Sequence, residues 1–345
     1  MEPNSQHAHL TRWQWMTYTY APNEGDTATF FIREMAGDTV FSTYNAKNIS
    51  FSNDSEWLAF LVDPTETEAK ALKQKKKPVN SSLLLYQLST RTVDTIKDVQ
   101  TYRFSEKSDY LAVKKAKSDP DAEHAGADLL IRNLADGLST NIGNVSEFAF
   151  NEQGTLLAYL IDADGDAGNG VYVKDLKQYR NWPLHSSPNT YSQLTWQEKG
   201  DQLAVLFGDT PSGKMQRQNT LLWVSDLKAQ MERVGVMQSF TSESSDQFPT
   251  DHVISEYAAL QWNEAGSQLF FGIKEQQDEL KEEEELAANV DVWHWKDEIV
   301  QSRQMITANR DRRSTHLSVL NLLDRQFVQL ETEDQPEVAI NLKSP

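Results

Sequence analysis

Asp162, Asp164 and Asp166 stand in the run DADGDAGNG at the one-three-five spacing of a calcium loop, in which carboxylate oxygens wrap a hard divalent cation. The glycine such a loop needs at position six is Ala167 here, and the glutamate at position twelve is Val173. The run therefore also reads as a glycine-rich loop between two strands, with loose calcium binding as the alternative. His7 and His9, one residue apart, offer two imidazoles to a metal, fewer than the three or four protein ligands of a zinc site. His124, His185, His252, His294 and His316 are scattered, and none sits in a motif that marks a general base.

Covalent chemistry has less support still. No Gly-x-Ser-x-Gly turn is present to strain and expose a serine nucleophile. The absence of cysteine removes thiolate nucleophiles, thiolate metal sites and disulfides together. No glycine-rich loop opens a helix as a phosphate cradle, so no nucleotide cofactor is expected and no catalytic residue is assigned. The 51 acidic residues exceed the 33 basic ones, and a net charge of −18 argues against nucleic acid or an anionic membrane as a partner. No apolar run approaches the roughly 18 residues that span a bilayer, and Met1 to Leu10 lacks the basic-then-apolar order of a signal peptide.

The elements that carry these residues announce themselves by repetition. Phe51, Phe104, Phe150, Trp196 and Trp262 are each followed by a polar turn of six residues and then by a pair, Leu58-Ala59, Leu111-Ala112, Leu157-Ala158, Leu203-Ala204 and Leu269-Phe270. The turns SNDSEW, SEKSDY, NEQGTL, QEKGDQ and NEAGSQ have the Asn, Asp, Gly and Ser chemistry of a reversal, so each segment predicts a β-hairpin. A second extended pair follows each one: Leu83–Leu88 with Thr92–Ile96, Leu129–Leu134 with Leu138–Ile142, and Val171–Leu176 with Arg180–Leu184. The later copies use Leu221–Leu227 with Met231–Val236, and His316–Leu322 with Gln326–Leu330.

Four strands per copy, recurring after 53, 46, 46 and 66 residues, predict an all-β fold, a β-propeller of four-stranded antiparallel blades. The whole chain, 1–345, reads as one propeller with blades near 48–97, 101–142, 146–184, 192–236 and 257–331. A partial blade at 14–44 lacks a recognisable first strand, and 337–342 reads either as the start of a further blade or as a strand closing a six-bladed ring. Ala at the second position of four of the five pairs suits close sheet approach, and the aromatic suits the gap between neighbouring blades.

Three insertions interrupt the repeat. Pro64–Pro78 has its acids early and its lysines late, the order a helix dipole favours, and predicts a short exposed helix whose Lys73, Lys75, Lys76 and Lys77 face either solvent or an acidic partner. Gln276–Leu286 is its acidic counterpart. Asp291–Asp297 (DVWHWKD) alternates like an extra strand, with Trp293 and Trp295 on one face, and Arg303, Arg310, Arg312 and Arg313 follow as surface charge or carboxylate ligands.

The segments FSNDSEWLAFLVDP, KQKKKPV, YLAVKKAK, IGNVSEFAFNEQGTLLAYLIDADGDAGNGVYVKDL, LTWQEKGDQLAVL and DVWHWKDEIVQS resemble the propeller region of bacterial prolyl-oligopeptidase-type serine peptidases. The resemblance spans nearly all of the chain, although FSxDSxWLAF is shared with TolB-like propellers. It implies a non-catalytic portion that gates peptide substrates and docks against an α/β-hydrolase domain bearing the Ser-Asp-His triad, which this sequence does not contain. It also implies a periplasmic or secreted parent. A free-standing TolB-like propeller binding a protein or peptide is the competing expectation.

Overall fold

The computed structural model describes residues 6–11, 14–21, 23, 27–227, 237–279, 310, 312–332, 334–335 and 337–343. In all five hairpins the aromatic lies directly opposite the residue seven positions later: Phe51 with Leu58, Phe104 with Leu111, Phe150 with Leu157, Trp196 with Leu203 and Trp262 with Leu269. The turn between them is closed from within. In each, the residue after the aromatic donates its N–H to the carbonyl five residues on, from Ser52 to Trp57 through Asn263 to Gln268. That residue is buried in every copy, as Ser52, Ser105, Asn151, Gln197 and Asn263. Its side chain accepts from turn N–H groups, as Ser105 Oγ does from Tyr110 at 3.0 Å and Asn151 Oδ1 from Leu156 at 2.9 Å. A polar residue survives burial there because its oxygen replaces the water that the turn would otherwise need.

Strands then run as antiparallel meanders, for example Ala46–Phe51, Trp57–Val62, Ser81–Gln87 and the first half of Thr92–Phe104. The second half of Thr92–Phe104 is already the first strand of the next unit, because its residues pair forward with Tyr110–Lys115. Ser139–Phe150 does the same one unit later. The corner in each crossover is an Asn or Asp six residues before the aromatic: Asn45, Asp98 and Asn144 have φ of 55°, 56° and 57°. Asn and Asp tolerate this left-handed conformation better than other non-glycine residues. Their carbonyls accept from Asp63, Ala116 and Asp162 at 3.2, 2.8 and 2.9 Å, which ties each corner to the end of the second strand.

The core explains why the units recur. Each of five apolar clusters lies between consecutive sheets. Ala59 packs with Phe104 and Leu111, Ala112 with Phe150 and Leu157, Ala158 with Trp196 and Leu203, and Ala204 with Trp262 and Leu269. Phe51 and Leu58 pack in the same way on Phe30 and Ile32 of the preceding sheet. The two members of each pair point to opposite faces, so Leu seats against the sheet before and Ala against the sheet after. Neither face of a sheet is buried without a neighbour, which is the packing logic of a propeller. The chain is all-β, with four-stranded antiparallel blades.

Several expectations need correction. The N-terminal unit does have a first strand: Gln6–Thr11 pairs with Trp15–Tyr20, Thr11 opposite Trp15. Its turn is too short for an aromatic seven residues ahead of the pair, so the repeat signature does not reach it. The fourth strand expected at Met231–Val236 falls on 228–236, outside the described residues; Gln238–Phe240 pairs with Leu221–Trp223. Residues 337–342 form no strand, although Leu342 accepts the Glu264 N–H at 2.7 Å. The Trp262 unit also differs at its start, where His252–Ser255 and Gln261–Trp262 pair separately with Gln268–Glu275. The helix expected within Pro64–Pro78 is present as Glu66–Gln74, capped by Thr65 and Glu68. Arg303, His294 and Asp291–Asp297 lie outside the described residues, as do 280–286 of the acidic run and the side chains of His7 and His9.

Candidate functional site

The first strands of two adjacent units border a cleft of about 540 Å³, lined by 48–51, Asn53 and 101–106. Alternation dictates what faces it. Ile49, Phe51, Tyr102 and Phe104 turn toward apolar clusters, which leaves Asn48, Ser50, Thr101 and Arg103 exposed. A bulge lies shortly before the aromatic in four units, where the ladder skips Asn48 and Ile49, Gln100, Ser146, and Gln193 and Leu194.

Neighbouring units use these interrupted groups to hold each other. The Tyr102 hydroxyl shares its single proton between the Asn48 carbonyl and, at 2.7 Å, that of Ala59. Burial pushes the Tyr102 phenol well above its ordinary pKa, so it remains a neutral donor. Glu147 accepts the N–H groups of Gln193 at 3.2 Å and Leu194 at 2.9 Å. Gln193 in turn donates to the Glu256 carbonyl at 2.7 Å. The hairpin turns are latched as well: Asn53 Nδ2 reaches the Glu106 carbonyl at 2.7 Å, and Gln197 Nε2 reaches that of Glu264 at 2.8 Å. The wall of the cleft is thus an array of amide, hydroxyl, guanidinium and backbone groups.

Of the three calcium-loop candidates, Asp162 and Asp166 accept hydrogen bonds within the fold. Asp162 Oδ2 accepts the Ala125 N–H at 2.6 Å, across to the preceding unit. Asp164–Asp166 form a single 3₁₀ turn, and Asp166 accepts from Asn169 at 3.2 Å. Among the described residues, no three His, Asp or Glu side chains come together to hold a metal ion. Of the histidines, His124 lines a second cleft, His252 Nδ1 lies 3.0 Å from the Thr250 carbonyl, and His316 sits in a strand. His185 Nδ1 is 2.6 Å from the Tyr191 hydroxyl, beside Phe207, and burial holds its pKa below the usual imidazole value. Arg313 lies over the Tyr257 ring, 5.9 Å from its centroid. The inter-unit latches escaped the sequence reading, because a bulge is set by how two sheets meet and leaves no residue signature.

No protein-family model and no curated protein sequence matches the chain. Solved structures resemble it in fold. The β-propeller domain of the Trilobed protease from Pyrococcus furiosus has a TM-score of 0.41 at 11% identity, covering 79% of this chain and 78% of that one. Prolyl oligopeptidase B from Galerina marginata has a TM-score of 0.44 at 11% identity, covering 92% of this chain and 40% of that one. An oligogalacturonate lyase in complex with manganese has a TM-score of 0.44 at 10% identity, covering 96% of this chain and 77% of that one. At such values the likeness concerns strand arrangement and carries no argument about activity.

Proposed function

We propose that this chain is the non-catalytic propeller portion of a prolyl-oligopeptidase-like serine peptidase, gating peptide access to an α/β-hydrolase domain and docking against it. The observation that carries the reading is the polar wall of Asn48, Ser50, Thr101 and Arg103, held by Tyr102 and the turn-to-turn latches. Such a wall gives a peptide hydrogen-bond partners along its length. The resemblance in FSNDSEWLAFLVDP and in 142–176 supplies the class of substrate. In this reading the acidic surface disfavours acidic peptides, and the parent protein works in the periplasm or outside the cell.

Incubating the purified chain with chromogenic proline and alanine peptides tests the first half, with no turnover expected. Robust turnover abolished by a serine-directed inhibitor overturns it. The second half is tested on the gene, where a Gly-x-Ser-x-Gly encoded downstream in the same frame is expected.

A further inference from the structure

A second cleft, of about 710 Å³, opens at the ends of the strands opposite the hairpin turns, where the loops between second and third strands and the Asp98 and Asn144 corners come together. One side is the end of the helical insertion, with Leu72, Lys77, Pro78 and Asn80. The floor and far side bring Lys97, Lys115, Lys117, His124 and Gly126. Four lysines thus meet in one cavity of a chain whose net charge is −18. Lys73, Lys75 and Lys76 extend the same basic end of the helix.

The carboxylates of the cleft are Asp98, Asp119 and Asp128, with Asp121 and Glu123 further along the same loop. Two of the three are occupied locally: Asp98 accepts from Asn80 Nδ2 at 3.4 Å, and Asp119 accepts the Asp121 N–H at 3.0 Å. None of the ion pairs among the described residues includes Lys77, Lys97, Lys115 or Lys117. Lys117 Nζ donates to the Ala122 carbonyl at 2.6 Å, and Lys115 Nζ to that of Lys97. Neutral carbonyls fix the direction of two ammonium groups without cancelling their charge.

A concave site of this volume is the size of a small-ligand or peptide-segment pocket. Lysines are point charges on flexible stems, which suits carboxylates arriving in varied geometry better than the planar pairing that arginine imposes. We infer that this cleft binds carboxylates of a peptide segment, on acidic side chains or at a free C-terminus. The site lies at the opposite end of the strands from the hairpin turns, and the inference stands apart from the peptidase reading.

The test is fluorescence anisotropy at low salt with labelled hexaglutamate and with a neutral Gly-Ser hexapeptide carrying either a free or an amidated C-terminus. Hexaglutamate, the free-ended peptide or both are expected to bind, with affinity falling as salt rises. Lys77→Glu with Lys97→Glu is expected to weaken binding ~10-fold or more, since neither side chain holds the fold together. Lys107→Glu with Lys177→Glu changes the charge equally elsewhere and is expected to shift it less than ~2-fold. Equal losses in both double variants overturn the inference, as does the absence of binding by both carboxylate peptides. An oligonucleotide of equal charge that binds more tightly than hexaglutamate overturns the assignment to a peptide.

Discussion

Trp196 donates its indole N–H to the Ala149 carbonyl at 2.9 Å, and so ties the first strand of its own unit to the first strand of the unit before. Trp262 repeats the contact one unit later, reaching the Thr195 carbonyl at 3.4 Å. The same rings pack into the apolar clusters between the sheets. Trp196→Phe keeps the packing and deletes the hydrogen bond, so a loss of about 1–2 kcal/mol is expected. Trp196→Ala also opens a cavity and is expected to cost about 3–5 kcal/mol. Urea unfolding of the two variants separates the contributions.

Asn151 is the most heavily committed of the turn caps. Its Oδ1 accepts the N–H groups of Thr155 and Leu156, while Nδ2 reaches Gln153 at 2.9 Å and Asp201 at 3.3 Å. Asn151→Ala strands two N–H groups near the core and is expected to cost about 2–4 kcal/mol. Asn151→Asp keeps the acceptor but faces Asp201, so an intermediate loss is expected, growing smaller in high salt. Chemical denaturation at two salt concentrations reads both effects.

Asp162 serves the fold through the Ala125 N–H, and Gly126 beside it is packed so closely that a Cβ would lie 2.0 Å from the Asp162 carbonyl oxygen. Asp162→Ala is expected to cost about 1–3 kcal/mol. Adding a chelator or millimolar calcium is expected to leave the melting temperature of the parent chain unchanged. A chelator-sensitive transition that Asp162→Ala abolishes would restore the loop as a calcium site.

Acid sensitivity is expected to begin with His185. Burial depresses its folded pKa below the unfolded value, so the unfolded chain binds the proton more readily. Stability from keeping the ring neutral is fully present above the unfolded value of about 6.5 and is lost as pH falls from there through the folded pKa. Asp63 and Asp94 are depressed too, by Lys47 and Ser81 for the first and by Arg132 for the second. Burial opposes both shifts. Their contribution is present above the unfolded carboxylate value and lost only at lower pH. His185→Phe is therefore expected to flatten the stability profile between about pH 7 and 5, leaving the steeper loss below about pH 4 in place. Thermal melts across that range provide the measurement.

The sequence determined what depends on local chemistry and period. An aromatic, a polar turn and a pair seven and eight residues on specify a hairpin register, since side chains alternate strictly along strands, and all five aromatics meet the partner that the spacing names. The polar turns and the helix ended by its lysines were legible for the same local reason, whereas the burial of the capping residues Ser52, Ser105, Asn151, Gln197 and Asn263 was not. Only the tertiary structure decided which sheet each face meets, because that turns on twist and on the Asn45, Asp98 and Asn144 corners rather than on any one residue type. It alone showed Gln6–Thr11 as a strand, defined by a partner and not by a pattern. The partner of Asp162 was likewise beyond the sequence: its carboxylate accepts from Ala125, 37 residues away, a relationship that spacing along the chain cannot encode.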